Sequence, residues 1–386
     1  VTKFAALLQA LVLAFMIAGT HGWIVRGVKP NTTDYVSFYA AGALADRGRP
    51  AAAYDQDAVM HAEVAATEPG VNYEAFFNPP PFLLIMQPLA LLPYLMSFML
   101  FQALTLPLWL ALGTRVAGGG GAATWCLLAV PSLWWVLGLG QNSFLSASLM
   151  AAGLLLLPRR KVAAGVMFGL LCYKPHLGLL IPVALVAAGE WVAVAAAAAA
   201  VAGIVAATVA LYGVETWGAF LTMAQHSLGG AIDSGRVLWS ARVDPTGAAQ
   251  ELGLPVAAAR AVWGVCAVGA GLAVAVVWRR GSVEMRGAVL AAGVVIAAPF
   301  ALFYDLIMCS LAACWLVRAA RQDGFLPGEA FALRALVVAN LLAAAPIVAA
   351  AHVPFGAVVG PVLLGLTLRR WRRDLGRAAN CALAAI

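Results

Sequence analysis

The chain has 386 residues, of which 63% are hydrophobic and only 11% charged, with a formal net charge of +7. Soluble domains carry about a quarter charged residues, so a water-exposed globule is excluded and a polytopic membrane protein remains. Nucleic-acid binding is excluded as the meaning of the positive charge, and a disulfide scaffold is excluded because the six cysteines lie in apolar runs or the C-terminal tail.

Apolar runs predict an all-α protein with about twelve spans, at 4–25, 95–114, 122–138, 143–157, 162–173, 175–188, 191–212, 256–278, 286–299, 303–319, 331–350 and 354–368. The first is read as a retained span, since it lacks a strongly basic leader region and further hydrophobic segments follow it. Residues 26–94 form a first long loop. Within it the run 79–92, PPPFLLIMQPLALL, is too short to span and predicts a helix near the membrane surface, opened by its prolines. Two half-length spans meet at Tyr173-Lys174-Pro175. One continuous helix kinked at Pro175 is the alternative, but it leaves Arg279 and Arg280 on the wrong face. The Ala195–Ala200 run predicts close helix packing, and 213–255 forms a second long loop. The sequence Arg369-Arg370-Trp371-Arg372-Arg373 reads as an orientation and lipid-surface anchor.

The bias of Lys and Arg toward cytoplasmic loops sets the orientation. With the N-terminus inside, 16 of the 24 basic residues but only 5 of the 17 carboxylates fall inside. Both long loops then lie outside, as does one set of costly polar residues. These are Asp34 after the first span, Gln141-Asn142 between spans three and four, Lys174 and His176 at the Pro175 break, and Tyr304-Asp305 at the start of span ten. The second loop adds His226, Asp233, Arg236, Trp239 and Arg242. Charges at membrane depth are rarely kept without a task.

A carboxylate, cations and amides at one membrane boundary suit transfer from a lipid-linked sugar phosphate. Lys174, His176 and Arg236 would hold the phosphate and stabilise the charge it gains as it leaves. Asp34 would accept the proton of the attacking hydroxyl. Tyr35, Gln141, Asn142, Trp239, Tyr304 and Asp305 would contact the substrates. Plainer readings stand beside these. Asp34 would cap the helix that starts at Tyr35, Lys174 would snorkel to headgroups, Gln141-Asn142 would satisfy a tight turn, and Asp305 would pair with a basic residue. Asp46, Asp55, Asp57, Glu63, Glu68 and Glu74 read as solvated loop surface, and His352 as an interfacial histidine.

The ordered landmarks resemble glycosyltransferase family 87. They are Asp34-Tyr35 through Tyr39-Ala40, Gly48-Arg49-Pro50 with Tyr54-Asp55, Phe77-Asn78-Pro79-Pro80-Pro81, Gly140-Gln141-Asn142, Tyr173-Lys174-Pro175, and Pro299 with Tyr304-Asp305. The resemblance implies a GT-C fold with juxtamembrane helices in the first outer loop. It also implies inverting transfer of a sugar, typically mannose, from a polyprenyl-phosphate donor to an extracytoplasmic lipid or glycan. Asp34 matches the family's catalytic base. No cofactor is expected, and no metal either, because the sequence places no carboxylate pair beside Asp34. The expected location is a bacterial inner membrane, with the site facing the periplasm or exterior. A transporter or flippase of lipid-linked sugars and a non-catalytic assembly partner are the competing classes. The transporter class calls for polar groups at mid-membrane or on both faces, and often for inverted repeats, of which none is visible.

Overall fold

A computed structural model describes residues 2–18, 33–227, 241–342 and 353–384. Among these residues the chain is helical without a β-strand; one isolated antiparallel bridge joins Arg242 and Leu302. Helix α1 covers Thr2–Ala18. The first loop folds into α2 (Tyr35–Asp46), α3 (Gln56–Ala66) and α4 (Leu83–Leu89). Next come α5 (Tyr94–Val116), α6 (Gly121–Leu128), α7 (Pro131–Leu139), α8 (Ser143–Leu156) and α9 (Lys161–Gly169). Then follow α10 (Ile181–Ala187), α11 (Trp191–Tyr212), α12 (Val214–Ser227), α13 (Pro245–Glu251) and α14 (Val256–Arg280). The series closes with α15 (Val283–Ala297), α16 (Leu306–Asp323), α17 (Glu329–Leu342) and α18 (Val359–Ala384).

Four helical segments, Tyr94–Val116, Trp191–Tyr212, Val256–Arg280 and Phe303–Asp323, are long and apolar enough to cross a membrane. The pair α6 and α7 adds a fifth candidate, bent by 64°. Pro131, at the start of α7, is the residue expected at such a break, since it lacks an N–H to continue α6. The other apolar runs form shorter helices. At Lys174 the chain leaves helical geometry (φ −137°, ψ 67°) between two 3-10 turns, 170–173 and 175–178. Two short helical segments therefore meet there in place of one kinked helix, and Lys174 sits at the break.

Packing follows residue size. Gly165 and Gly169 on α9 lie directly against Ala193, Ala196, Ala197 and Ala200 of α11, and a side chain at either glycine would collide with them. The alanine run is thus the seam of a close helix pair. Helix α15, whose residues from Met285 to Ala297 are largely buried, is surrounded by α14, α16 and α18. Helix α4 packs on α2, where Gly42 lies against the Met86 carbonyl, so the first loop is folded on itself. Its aromatic core joins Tyr35, Phe38, Phe76, Phe82, Phe98, Phe101 and Tyr173. This core carries the start of α2 to the Lys174 break, with Phe82 and Tyr173 stacked at 5.1 Å.

The basic run at 369–373 is only partly a surface anchor. Arg370 is fully buried and ion-paired to Glu329, and it also donates to the Gly324 carbonyl at 2.9 Å. A guanidinium with such partners ties α18 to α17 and is withdrawn from the lipid surface.

Candidate functional site

The site begins with a glycine. Gly140 ends α7 in the left-handed conformation (φ 71°), and a Cβ there would stand 2.5 Å from the Phe98 ring and 2.6 Å from Tyr35 Cβ. The turn can press onto the start of α2 only because position 140 is bare. Gln141 is thereby placed against Asp34, and its amide Nε2 donates to Asp34 Oδ2 at 2.6 Å. Asp34 does precede α2, but its side chain makes no capping hydrogen bond. Its carboxylate is committed to Gln141, 107 residues away, and the plain capping reading is set aside.

The next two residues continue the site. Asn142 Nδ2 donates to Asn78 Oδ1 at 3.1 Å, linking the turn to the proline run of the first loop. Ser143 Oγ donates to Asp305 Oδ1 at 3.0 Å. Lys174 Nζ reaches the same Asp305 oxygen at 2.7 Å and Ser143 Oγ at 3.1 Å. It also lies over the Tyr304 ring, 5.3 Å from its centroid. Lys174 is 7% exposed and Asp305 2%, so the lysine does not snorkel to headgroups; it is held in a buried ion pair. His176 feels the charges of both Lys174 and Asp305, and the Asp34 and Asp305 carboxyls both bear on Tyr304. Tyr35 has a supporting position, its hydroxyl 2.7 Å from Ser97 Oγ.

The segment before Asp305 is itself clamped. Arg242 holds Asp244 through two hydrogen bonds (3.0 and 2.7 Å), and both side chains are fully buried. Asp244 accepts from the Ala301 N–H at 3.2 Å, and Val243 N–H donates to the Ala301 carbonyl at 2.9 Å. The Leu302 N–H then donates to Asp305 Oδ2 at 3.2 Å. The second long loop therefore sets the position of Asp305. Asp244 had no part in the expected site, because its tie to the Asp305 segment is a single backbone N–H, that of Ala301, nearly sixty residues away. Arg236, Trp239, Asp233 and His352 lie outside the described residues; His226 is exposed near the end of α12.

Two loop carboxylates are less solvated than their sequence setting suggests. Glu63 is fully buried, not solvated, and its carboxylate accepts from the Glu74 N–H at 3.2 and 3.3 Å. Glu74 is half-buried and close enough to Asp34 for their charges to interact. A second carboxylate therefore does stand near Asp34, contrary to expectation. No group of three or more His, Cys, Asp or Glu side chains is arranged to hold a metal ion among the described residues.

Burial pushes the Asp34 carboxyl above its ordinary value, while the Gln141 hydrogen bond and the Lys174 charge act in the opposite sense. Burial also raises Glu63 to about 8. Glu74 is raised to about 8, first by burial and then by the charges of Asp34 and Glu63. These two groups hold their protons more tightly folded than unfolded. The stability they provide is complete below the ordinary value of 4.5 and is lost as pH rises through about 8. Thermal unfolding in detergent should accordingly show stability falling across that window. Glu63→Gln should flatten the fall; an unchanged slope would show that Glu63 does not carry it.

With this geometry established, comparison with known proteins gives one result. The model of glycosyltransferase family 87 matches residues 76–303, more than half of the chain. The chain belongs to glycosyltransferase family 87. It is a membrane glycosyltransferase. No curated protein and no solved structure matches it. The family 87 match encloses Asn78, Gln141, Asn142, Ser143, Lys174 and His176. It begins after Asp34 and Glu74 and ends just before Tyr304 and Asp305. The site therefore joins residues from inside the matched region to carboxylates on either side of it.

Proposed function

We propose that this glycosyltransferase moves a sugar, with mannose the expected one, from a polyprenyl-phosphate donor to an extracytoplasmic lipid or glycan acceptor, with inversion. On this reading the chain has a GT-C architecture of about twelve spans, and the site faces the periplasm or cell exterior of a bacterial inner membrane. The observation that carries the proposal is the convergence of Asp34, Gln141, Lys174 and Asp305 from four separate segments.

The chemistry follows from what each group has left to give. Asp34 Oδ2 is bonded to Gln141, which orients the carboxylate and leaves Oδ1 for an acceptor hydroxyl. As the hydroxyl oxygen bonds to the anomeric carbon, its proton passes to Asp34. The bond from that carbon to the phosphate oxygen breaks, and polyprenyl phosphate leaves with the electron pair. A carboxyl raised by burial holds this proton better than an exposed one, which suits a base working near neutral pH. Lys174 has three ammonium donors. Asp305 and Ser143 take two, which leaves the third for a phosphate oxygen. His176 sits beside this pair and is the second candidate for the phosphate. Attack from the Asp34 side with departure toward Lys174 inverts the anomeric carbon.

Protein reconstituted in proteoliposomes should transfer mannose from polyprenyl-phosphate mannose and give a product of inverted configuration, read by NMR. Transfer from a nucleotide sugar in its place, or retention of configuration, would overturn the assignment.

A further inference from the structure

Away from the candidate site a second polar feature has no part in the reaction. Helix α5 starts at Tyr94, whose hydroxyl is 2.8 Å from Thr33 Oγ1 next to Asp34, and ends at Val116. At about 1.5 Å per residue the far end of α5 is roughly 33 Å from the site. Helix α16 runs the same way, from Leu306 beside Asp305 to Asp323. Between these far ends lies a cavity of about 480 Å³ lined by Arg115, Gly118, Gly119, Arg318, Arg321 and Gln322.

Its walls are set in place. Gly118, Gly119 and Gly120 have φ of 90°, 83° and 90°, so the loop can pass under the arginines. A Cβ on Gly118 would lie 3.3 Å from Arg321 Nη1. Arg321 donates to the Gly119 carbonyl at 3.0 Å, and Arg318 is held by Glu284 at 3.1 Å and by the face of Trp315. Glu284 balances one of the three guanidinium charges. Asp323 is occupied by Arg373 at 2.7 Å. The Arg115 side chain is exposed and has no hydrogen bond or ion pair among the described residues.

The surroundings point to a lipid in preference to a soluble anion. Met96, Leu100, Leu104 and Leu108 are 58%, 41%, 62% and 44% exposed and recur every fourth residue on α5. Arg115, eleven residues after Leu104, falls on the same side of the helix. An uncovered apolar stripe therefore leads to the arginine cavity. On α6, which follows the glycine loop, Trp125 is 38% exposed with Lys3 5.6 Å from its ring, an aromatic–cation pair of the kind found at a membrane interface.

We infer that this cavity binds the phosphate of an anionic phospholipid, with an acyl chain lying along the exposed stripe of α5. Arg115 and Arg321 supply the free guanidinium N–H groups, and the glycine loop holds Arg321 in place. This site is independent of the proposed transfer reaction, since it shares no residue with Asp34, Gln141, Lys174 or Asp305.

The test uses the full-length protein, purified in a neutral detergent and mixed with phosphatidylglycerol or phosphatidylcholine, with bound lipid counted by native mass spectrometry. Phosphatidylglycerol should be retained about tenfold better than phosphatidylcholine, and Arg115→Gln with Arg321→Gln should remove that preference. Arg115→Gln alone, which breaks no internal contact, should weaken it in part. Equal retention of the two lipids, or an unchanged preference in the double variant, would overturn the inference. So would displacement of phosphatidylglycerol by millimolar inorganic phosphate, which would make this a free-anion site, or by equimolar polyprenyl phosphate, which would make it a donor site.

Discussion

Asp34→Asn is expected to lower turnover by about 10²–10⁴-fold, the range general-base assistance supplies. The substitution keeps the shape of the side chain, and the new amide oxygen can still accept from Gln141 Nε2. What disappears is the site for the acceptor proton. Donor affinity should therefore change little, because the phosphate contacts assigned to Lys174 and His176 are untouched. Steady-state transfer in proteoliposomes, with donor binding measured separately, checks both halves. Equal loss of binding and turnover would indicate a structural role for Asp34, and full turnover would remove it from the reaction.

The second large effect concerns the Lys174–Asp305 pair. Both groups are almost inaccessible, and Asp305 also accepts from Ser143 and the Leu302 N–H. Removing one partner of a buried pair typically costs about 3–5 kcal/mol, because the other charge is left without compensation. Lys174→Met and Asp305→Leu should each lower the unfolding temperature sharply, and the double variant should recover much of the loss. Stability recovered without activity would separate the two roles, since the double variant still lacks the ammonium N–H assigned to the phosphate. Additive losses in the double variant would show that the two side chains do not act as a pair.

The sequence made the centre of the site legible for a physical reason. In a chain with only 11% charged residues, each carboxylate or lysine next to an apolar run is conspicuous, and Asp34, Lys174 and Asp305 were found that way. Gln141 was visible because Gly140-Gln141-Asn142 interrupts two apolar helices. The burial of Glu63 and Glu74 was not visible. A loop carboxylate is ordinarily solvated, and the surroundings of Glu63 depend on where the Glu74 backbone comes to lie. The Arg242–Asp244 clamp was equally hidden, since its meaning depends on the backbone of Ala301. Within the apolar runs helix type was clear from hydropathy, whereas helix length was not, and α12 and α13 form where the sequence reads as a long loop. Proline and glycine at positions such as 131 and 140 divide the apolar runs, and the geometry of each break depends on its neighbours.

One arrangement is central to the proposed transfer: a donor phosphate held beside Lys174 while the anomeric carbon faces Asp34. A cryo-EM structure with a non-hydrolysable polyprenyl-phosphonate sugar tests it most directly. The phosphonate is expected within hydrogen-bond distance of Lys174 Nζ, with the sugar between it and Asp34 Oδ1. A head group bound at the far end of α5, or with its phosphonate on the Asp34 side and the sugar pointing away, would contradict it.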